Sequence, residues 1–251
     1  MILTRDQDTY DVVSYDLNVY YPLEMTTTHP MANWRIVRAL GKQRYLAYSL
    51  LAFLCVLPFT QGQPGPRLLM YGVLTLVFVT GPLAVARTRI SLWATCVLAL
   101  FVLVPGVASG IGGYEWALKV SILVGVAFFG FLAGLVSKEL LFEDTDVTSE
   151  TLWAAVNVYV LIGLSFAFLY SALSLLGPDV FVGKFMNEAL RDQLHGFVYF
   201  SFITLTTLGY GDVTPNGAFV GTLTYLEALV GQLYVAIMIA RLVGLYIVRR
   251  G

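Results

Sequence analysis

The residues best suited to chemistry in this 251-residue chain lie in one stretch, Thr204-Leu205-Thr206-Thr207-Leu208-Gly209-Tyr210-Gly211-Asp212-Val213-Thr214-Pro215. What they offer is oxygen, from backbone carbonyls, threonine hydroxyls and a carboxylate. A dehydrated cation passes quickly only if successive rings of oxygen replace its water, and four chains supply such rings when each turns its carbonyls toward a common axis. An ordinary β-strand cannot do this, because its carbonyls alternate. Gly209 and Gly211, two apart, can take positive φ values that let neighbouring carbonyls face the same way. Thr207 can add a hydroxyl at the inner mouth, Tyr210 can brace the segment outward, and Asp212 can tie its outer end to the surrounding protein. The bland alternative is a Gly-Tyr-Gly-Asp turn in an extramembrane loop, and the flanking sequence has to decide.

The elements that must position these residues are apolar helices. Hydrophobic residues make up 58% of the chain and charged residues 12%, and the mean hydropathy is +0.76, which implies membrane residence. Fifteen Lys and Arg against sixteen Asp and Glu leave a net charge of −1, so no basic surplus exists for a nucleic-acid partner. A span needs roughly 20 apolar residues. Six runs qualify as expected helices: Tyr45 to Thr60, Leu68 to Ala86, Ile90 to Val107, Trp116 to Val136, Leu152 to Leu176 and Ala218 to Val248. The first is short and carries Pro58 near its end. Gly, Pro and charge mark the breaks, among them the acidic stretch Glu139 to Glu150. The expected organisation is a cytoplasmic N-terminal segment (1–44), a four-helix unit (45–138), a linker (139–151) and a pore-forming region (152–251).

Leu194 to Leu205 is a further apolar run, too short to span, which fits a re-entrant helix or one lying flat at the interface. It leads directly into the oxygen-rich stretch. There, Thr207 to Asp212 resembles the selectivity filter of potassium channels, Thr-Val/Ile-Gly-Tyr-Gly-Asp, with Leu208 where Val or Ile is usual. The resemblance implies an all-α membrane protein of six spanning helices, with a pore helix and an extended filter, assembled as a homotetramer. It implies K+ ions held at Thr207, Leu208, Gly209 and Tyr210, supported by Thr206, Gly211, Asp212 and Glu227, with no other cofactor and no catalytic residue. Leu152 to Leu176 would be the outer helix and Ala218 to Val248 the inner one. Gly231, twenty residues after Gly211, falls where related channels bend the inner helix, and a packing glycine is the alternative. Below it Ile239, Val243 and Ile247 recur at four-residue intervals on one helical face, as a hydrophobic gate or as a face packed on the outer helix.

With six spans both termini share a side. Placing them in the cytoplasm puts eleven basic residues inside against four outside, the usual bias of a multi-pass plasma-membrane protein. Trp34, Val37 and Leu40 among Arg35, Arg38 and Lys42 suggest a basic helix on an anionic inner leaflet, or an ordinary positive flank. Voltage sensing needs several Arg or Lys at three-residue spacing within a span. Trp116 to Val136 offers only Lys119, so weak voltage dependence is expected.

Glu227, inside the inner helix, is expected to bond to the pore-helix scaffold, since an unpaired charge there is costly. Gln232 could face a water-filled cavity or bond between helices. Asp192 is placed to cap the pore helix. Cys55 and Cys96 lie in apolar runs and are expected to be buried thiols. The polar amino terminus lacks a signal-peptide pattern, and no regulatory domain is expected after the inner helix. Two other classes compete. Potassium-uptake transporter subunits carry four pore loops in one chain, whereas one is found here. An intramembrane enzyme built on His195 and Ser201 lacks any supporting catalytic motif.

Overall fold

The computed structural model describes residues 43–60, 64–86, 88–143, 148–183, 185–186 and 188–248. Residues 1–42 lie outside it, with the acidic N-terminal segment and nearly all of the basic helix expected there, as do Arg87, Lys184, Arg249 and Arg250. In chain order the helices are α1 (Gln43–Val56), α2 (Pro64–Ala84), α3 (Arg89–Gly112), α4 (Glu115–Lys138), α5 (Ser149–Ser174), α6 (Leu190–Leu205) and α7 (Ala218–Val248). A two-stranded antiparallel ribbon joins β1 (Phe181–Gly183) to β2 (Val213–Pro215), with Phe181 opposite Pro215 and Gly183 opposite Val213.

Among the described residues, four helical stretches are long and apolar enough to cross a membrane: Arg89–Gly110, Glu115–Phe142, Ser149–Ser174 and Ala218–Gly244. The other two apolar stretches, Gln43–Phe59 and Gly72–Ala84, are shorter. Proline accounts for the first shortfall. α1 gives way at Leu57 to a 3-10 turn containing Pro58, whose ring removes a backbone donor and crowds the preceding turn. The first turns of α2 hold Pro64, Gly65, Pro66 and Arg67, leaving its apolar part short.

α4 is the centre of the bundle, packed between α3 and α5. Its Phe128, Phe129, Leu132 and Val136 are fully buried. Phe78 of α2 meets Phe128 edge-on at 4.8 Å, and Phe129 meets Phe168 of α5 at 4.9 Å; such ring pairs add about 0.5–1.5 kcal/mol each beyond area burial. Gly125 admits the Phe168 ring to the α4 backbone, where a Cβ would collide with it. α1 docks on α5 through polar groups: buried Asn157 Nδ2 donates to the Gln43 carbonyl (2.8 Å) and to Gln43 Oε1 (3.0 Å), and Gln43 Nε2 donates to the Ala84 carbonyl (3.4 Å). Arg44 pairs with Glu150 at 2.8 Å.

α3 and α7 differ from α4 and α5, since only 17% of the apolar window of each is buried within the chain; on α7, Leu226, Leu229, Leu233 and Ile237 are exposed. Cys55 and Cys96 are also exposed, which corrects the expectation of buried thiols. An apolar run in a membrane helix needs only hydrocarbon or a partner around it, so composition does not distinguish burial in protein from contact with lipid.

Candidate functional site

α6 begins four residues before the expected apolar run. Its N-cap is Ala189, with no side-chain capping bond, so Asp192 is not the cap and lies inside the first turn. There its carboxylate still faces the positive end of the helix dipole. His195 follows within the same helix; burial pushes its imidazole below the usual value, while Glu188 and Asp192 oppose that shift. The helix is seated by an aromatic wedge. Phe181 of β1 stands edge-on to Phe197 at 4.9 Å and to Tyr170 at 5.6 Å, and Tyr170 meets Phe200 at 5.2 Å.

At the C-terminal end of α6 the chain turns sharply. Thr207 N–H donates to the Thr204 carbonyl (2.8 Å), and the N–H groups of Leu208 and Gly209 both donate to the Ile203 carbonyl (2.8 and 3.0 Å). The backbone then alternates: Thr207, Gly209 and Gly211 have φ of 59°, 50° and 76°, whereas Leu208 and Tyr210 are not in the positive-φ region. Alternation in the sign of φ allows successive carbonyls to turn to one side, which a regular extended strand does not. The two glycines were legible as permissive positions. Thr207 was not, since a β-branched residue with positive φ is an outlier and no sequence signal marks it. All residues from 206 to 212 are exposed in the single chain.

The outer end of this loop is clamped. Tyr199 of α6 donates its hydroxyl to Asp212 Oδ2 at 2.9 Å. β2 pairs with β1 immediately beyond, and Gly183 lies so close to Asp212 and Val213 that a Cβ would sit 2.9 Å from their backbone. Asn216 N–H donates to the Val180 carbonyl (2.9 Å) and its Nδ2 to the Asp179 carbonyl (2.7 Å). Neither Tyr199 nor the ribbon was singled out from the sequence. Three-residue strands carry too little pattern to read.

Behind α6, fully buried Glu227 joins three helices. Tyr170 of α5 donates to Glu227 Oε2 (2.7 Å), and Ser201 Oγ lies 2.5 Å from Oε1 and 2.7 Å from the Gly163 carbonyl oxygen. Leaving such buried groups without partners costs about 1–3 kcal/mol each, so the cluster fixes α6 between α5 and α7. Ser201, the nucleophile of the enzyme reading, is thus engaged in a structural junction.

The inner end meets α7. A Cβ added at Gly231 would overlap the Leu205 carbonyl oxygen, which Tyr159 also approaches at 3.4 Å. The neighbouring Gln232 Nε2 donates to Thr207 Oγ1 at 3.0 Å. α7 continues unbroken through Gly231 to Val248. Lower down, Ile239 and Val243 are exposed, and Ile247 lies on the helix backbone with its side chain outside the described part. Arg241 donates instead to the Leu140 carbonyl in the π-helical turn Glu139–Glu143 that follows α4. Among the described residues no group of His, Cys, Asp and Glu is arranged to hold a metal ion.

A short helix running into an exposed loop of alternating φ, packed between two helices long and apolar enough to span, is the arrangement a membrane channel would use. The family model described as ion channel matches residues 166–247, from the second half of α5 to the end of α7. Protein LctB of Bacillus caldotenax is 39% identical over 98 residues, 38% of this chain and 71% of that protein. Protein LctB of Geobacillus stearothermophilus is 35% identical over 97 residues, with the same coverage. The chain belongs to the ion channel family, and it is a membrane protein. No solved structure matches it.

Proposed function

We propose that this ion channel is potassium-selective and conducts K+ passively through a homotetrameric pore. The observation that carries the reading is the alternation of φ through Thr207, Gly209 and Gly211 in an exposed loop. In a ring of four chains, the carbonyls of Thr207, Leu208, Gly209 and Tyr210 and the Thr207 hydroxyl would replace the hydration shell of K+. Thr206, Gly211, Asp212 and Glu227 support that loop. The exposed loop 206–212 favours further copies of the chain beside α7, since its oxygens form rings around a cation only where several chains meet; the exposed apolar faces of α7 are compatible with such copies or with lipid. On this reading α1 and α2 complete six spans, and both termini lie in the cytoplasm of a plasma-membrane protein. The four-helix unit 45–138 is a scaffold around the pore region 152–251. No cofactor beyond the K+ ions and no nucleic-acid partner is proposed; basic residues near the inner leaflet favour anionic lipid.

Reversal potentials of the purified protein in planar bilayers, under opposed potassium and sodium gradients, test selectivity. The expected result is a reversal potential near that of potassium, and equal passage of sodium would sink the proposal. The same recordings test voltage dependence. Moving one charge through 100 mV is worth about 2.3 kcal/mol, and α4 carries Glu115, Lys119 and Lys138 as its only charges, all near its ends. A shallow conductance–voltage curve is expected.

The gate is assigned to Ile239, Val243 and Ile247, four copies of which would close the path by excluding water. Arg241, turned toward the Leu140 carbonyl, stays off that path. Val243→Asp should hydrate the constriction and raise open probability while leaving the preference for potassium over sodium intact. Unchanged open probability in well-folded tetramers would remove Val243 from the gate.

A further inference from the structure

Thr207 carries an unusual load for one side chain. It is the only non-glycine among the described residues with positive φ, at 59°. It also supplies the one hydroxyl among the four residues proposed to ligate K+, apart from the Tyr210 phenol that braces the loop. A threonine hydroxyl has one proton and two lone pairs. Here the proton goes to the Thr206 carbonyl at 2.7 Å, and one lone pair accepts from Gln232 Nε2 at 3.0 Å. One lone pair is left over, and its direction is set by the other two bonds.

The geometry of α7 explains why residue 232 makes this contact. At Gly231 the helix backbone comes against the Leu205 carbonyl, where no Cβ fits. One residue further, about 100° around the helix, the side chain leaves that tight contact and emerges on the exposed side beside Thr207. The bare α-carbon brings α7 close enough for a glutamine to reach the hydroxyl. Gln232 and Thr207 are both exposed in the single chain, so the bond is made on the face that four chains would turn toward a common axis. An apolar residue at 232 would leave the hydroxyl held by the Thr206 carbonyl alone.

We infer that Gln232 is a positioning residue for the innermost cation site, acting through the Thr207 hydroxyl to hold its remaining lone pair toward the ion. This rests on the potassium-filter reading and adds to it a determinant on a different helix. It assigns Gln232 no direct contact with the ion. Its effect must therefore vanish when the Thr207 hydroxyl is absent, which a general disturbance of the pore would not show.

Barium, a divalent ion of nearly potassium's size, is the probe, because its charge makes occupancy of an oxygen site readable as block. Potassium currents of the full-length protein in bilayers are titrated with Ba2+ from the cytoplasmic side in wild type, Gln232→Met, Thr207→Val and the double variant. Met has similar reach and no donor. The expected result is a rise of about fivefold in the half-blocking Ba2+ concentration for Gln232→Met, the size of one neutral hydrogen bond lost, with no further rise when it is added to Thr207→Val. Equal effects of Gln232→Met in both backgrounds, or none in either, overturn the inference. Should Gln232→Met fail to assemble, Gln232→Leu carries the same comparison. A wild-type pore that passes sodium as readily as potassium overturns the filter reading itself, whereas a selective wild type whose block ignores residue 232 overturns only the inference.

Discussion

Alanine at Gly211 is expected to abolish potassium-selective flux while the protein still assembles. Gly211 has φ of 76° and nothing within 4 Å of the place where a Cβ would stand, so the penalty is conformational rather than a collision. A left-handed backbone costs an L-residue about 1–2 kcal/mol, and in the proposed tetramer four copies bring the total to on the order of 4–8 kcal/mol. The loop relieves this by rotating the 211 peptide out of the alternating pattern, which turns the Tyr210 carbonyl away from its neighbours. The clamp beyond it, Tyr199 to Asp212 and β1 to β2, does not depend on residue 211 and should hold. The check is potassium and sodium flux into liposomes beside size-exclusion of the variant. Wild-type selectivity in Gly211→Ala would mean that this φ is not needed for conduction.

Gly231→Ala separates two roles for one residue. If Gly231 is a hinge, alanine stiffens α7 and changes only how often the pore opens. The structure adds a second constraint, because a methyl group there overlaps the Leu205 carbonyl oxygen. That atom is backbone at the end of α6 and cannot swing aside as a side chain would. Overpacking of this kind typically costs 1–3 kcal/mol per site, and the strain falls at the base of the loop, two residues before Thr207. The expected result is a less stable assembly, seen as a lowered midpoint of thermal dissociation, together with weakened selectivity. Unaltered stability and selectivity with a changed open probability would favour the hinge alone.

The loop was readable because its requirements are local. Gly209 and Gly211 are the residue type that takes positive φ without strain, and their two-residue spacing states the alternation directly. The helices α3, α4, α5 and α7 were equally readable, since hydrocarbon thickness imposes a length that composition reveals. Asp192 was misplaced by three positions within the turn because capping residues are also favourable just inside a helix, for reasons of dipole rather than of capping. The thiols were misjudged because hydropathy does not tell lipid from protein.

By itself, then, the sequence determined the membrane class, the short helix before the loop and the oxygen-bearing segment, each of which follows from residue types within a few positions of one another. The tertiary structure decided the contacts that join segments distant in the chain. Tyr170 and Ser201 converge on Glu227 across 57 and 26 residues, Gln232 reaches Thr207 across 25, and Thr207 is held at a φ its side chain disfavours. The physical reason is that a polar group takes whichever partner the packing brings within about 3 Å. Periodicity says which face a residue occupies, but only the close approach of α7 to α6 at Gly231 says what that face meets.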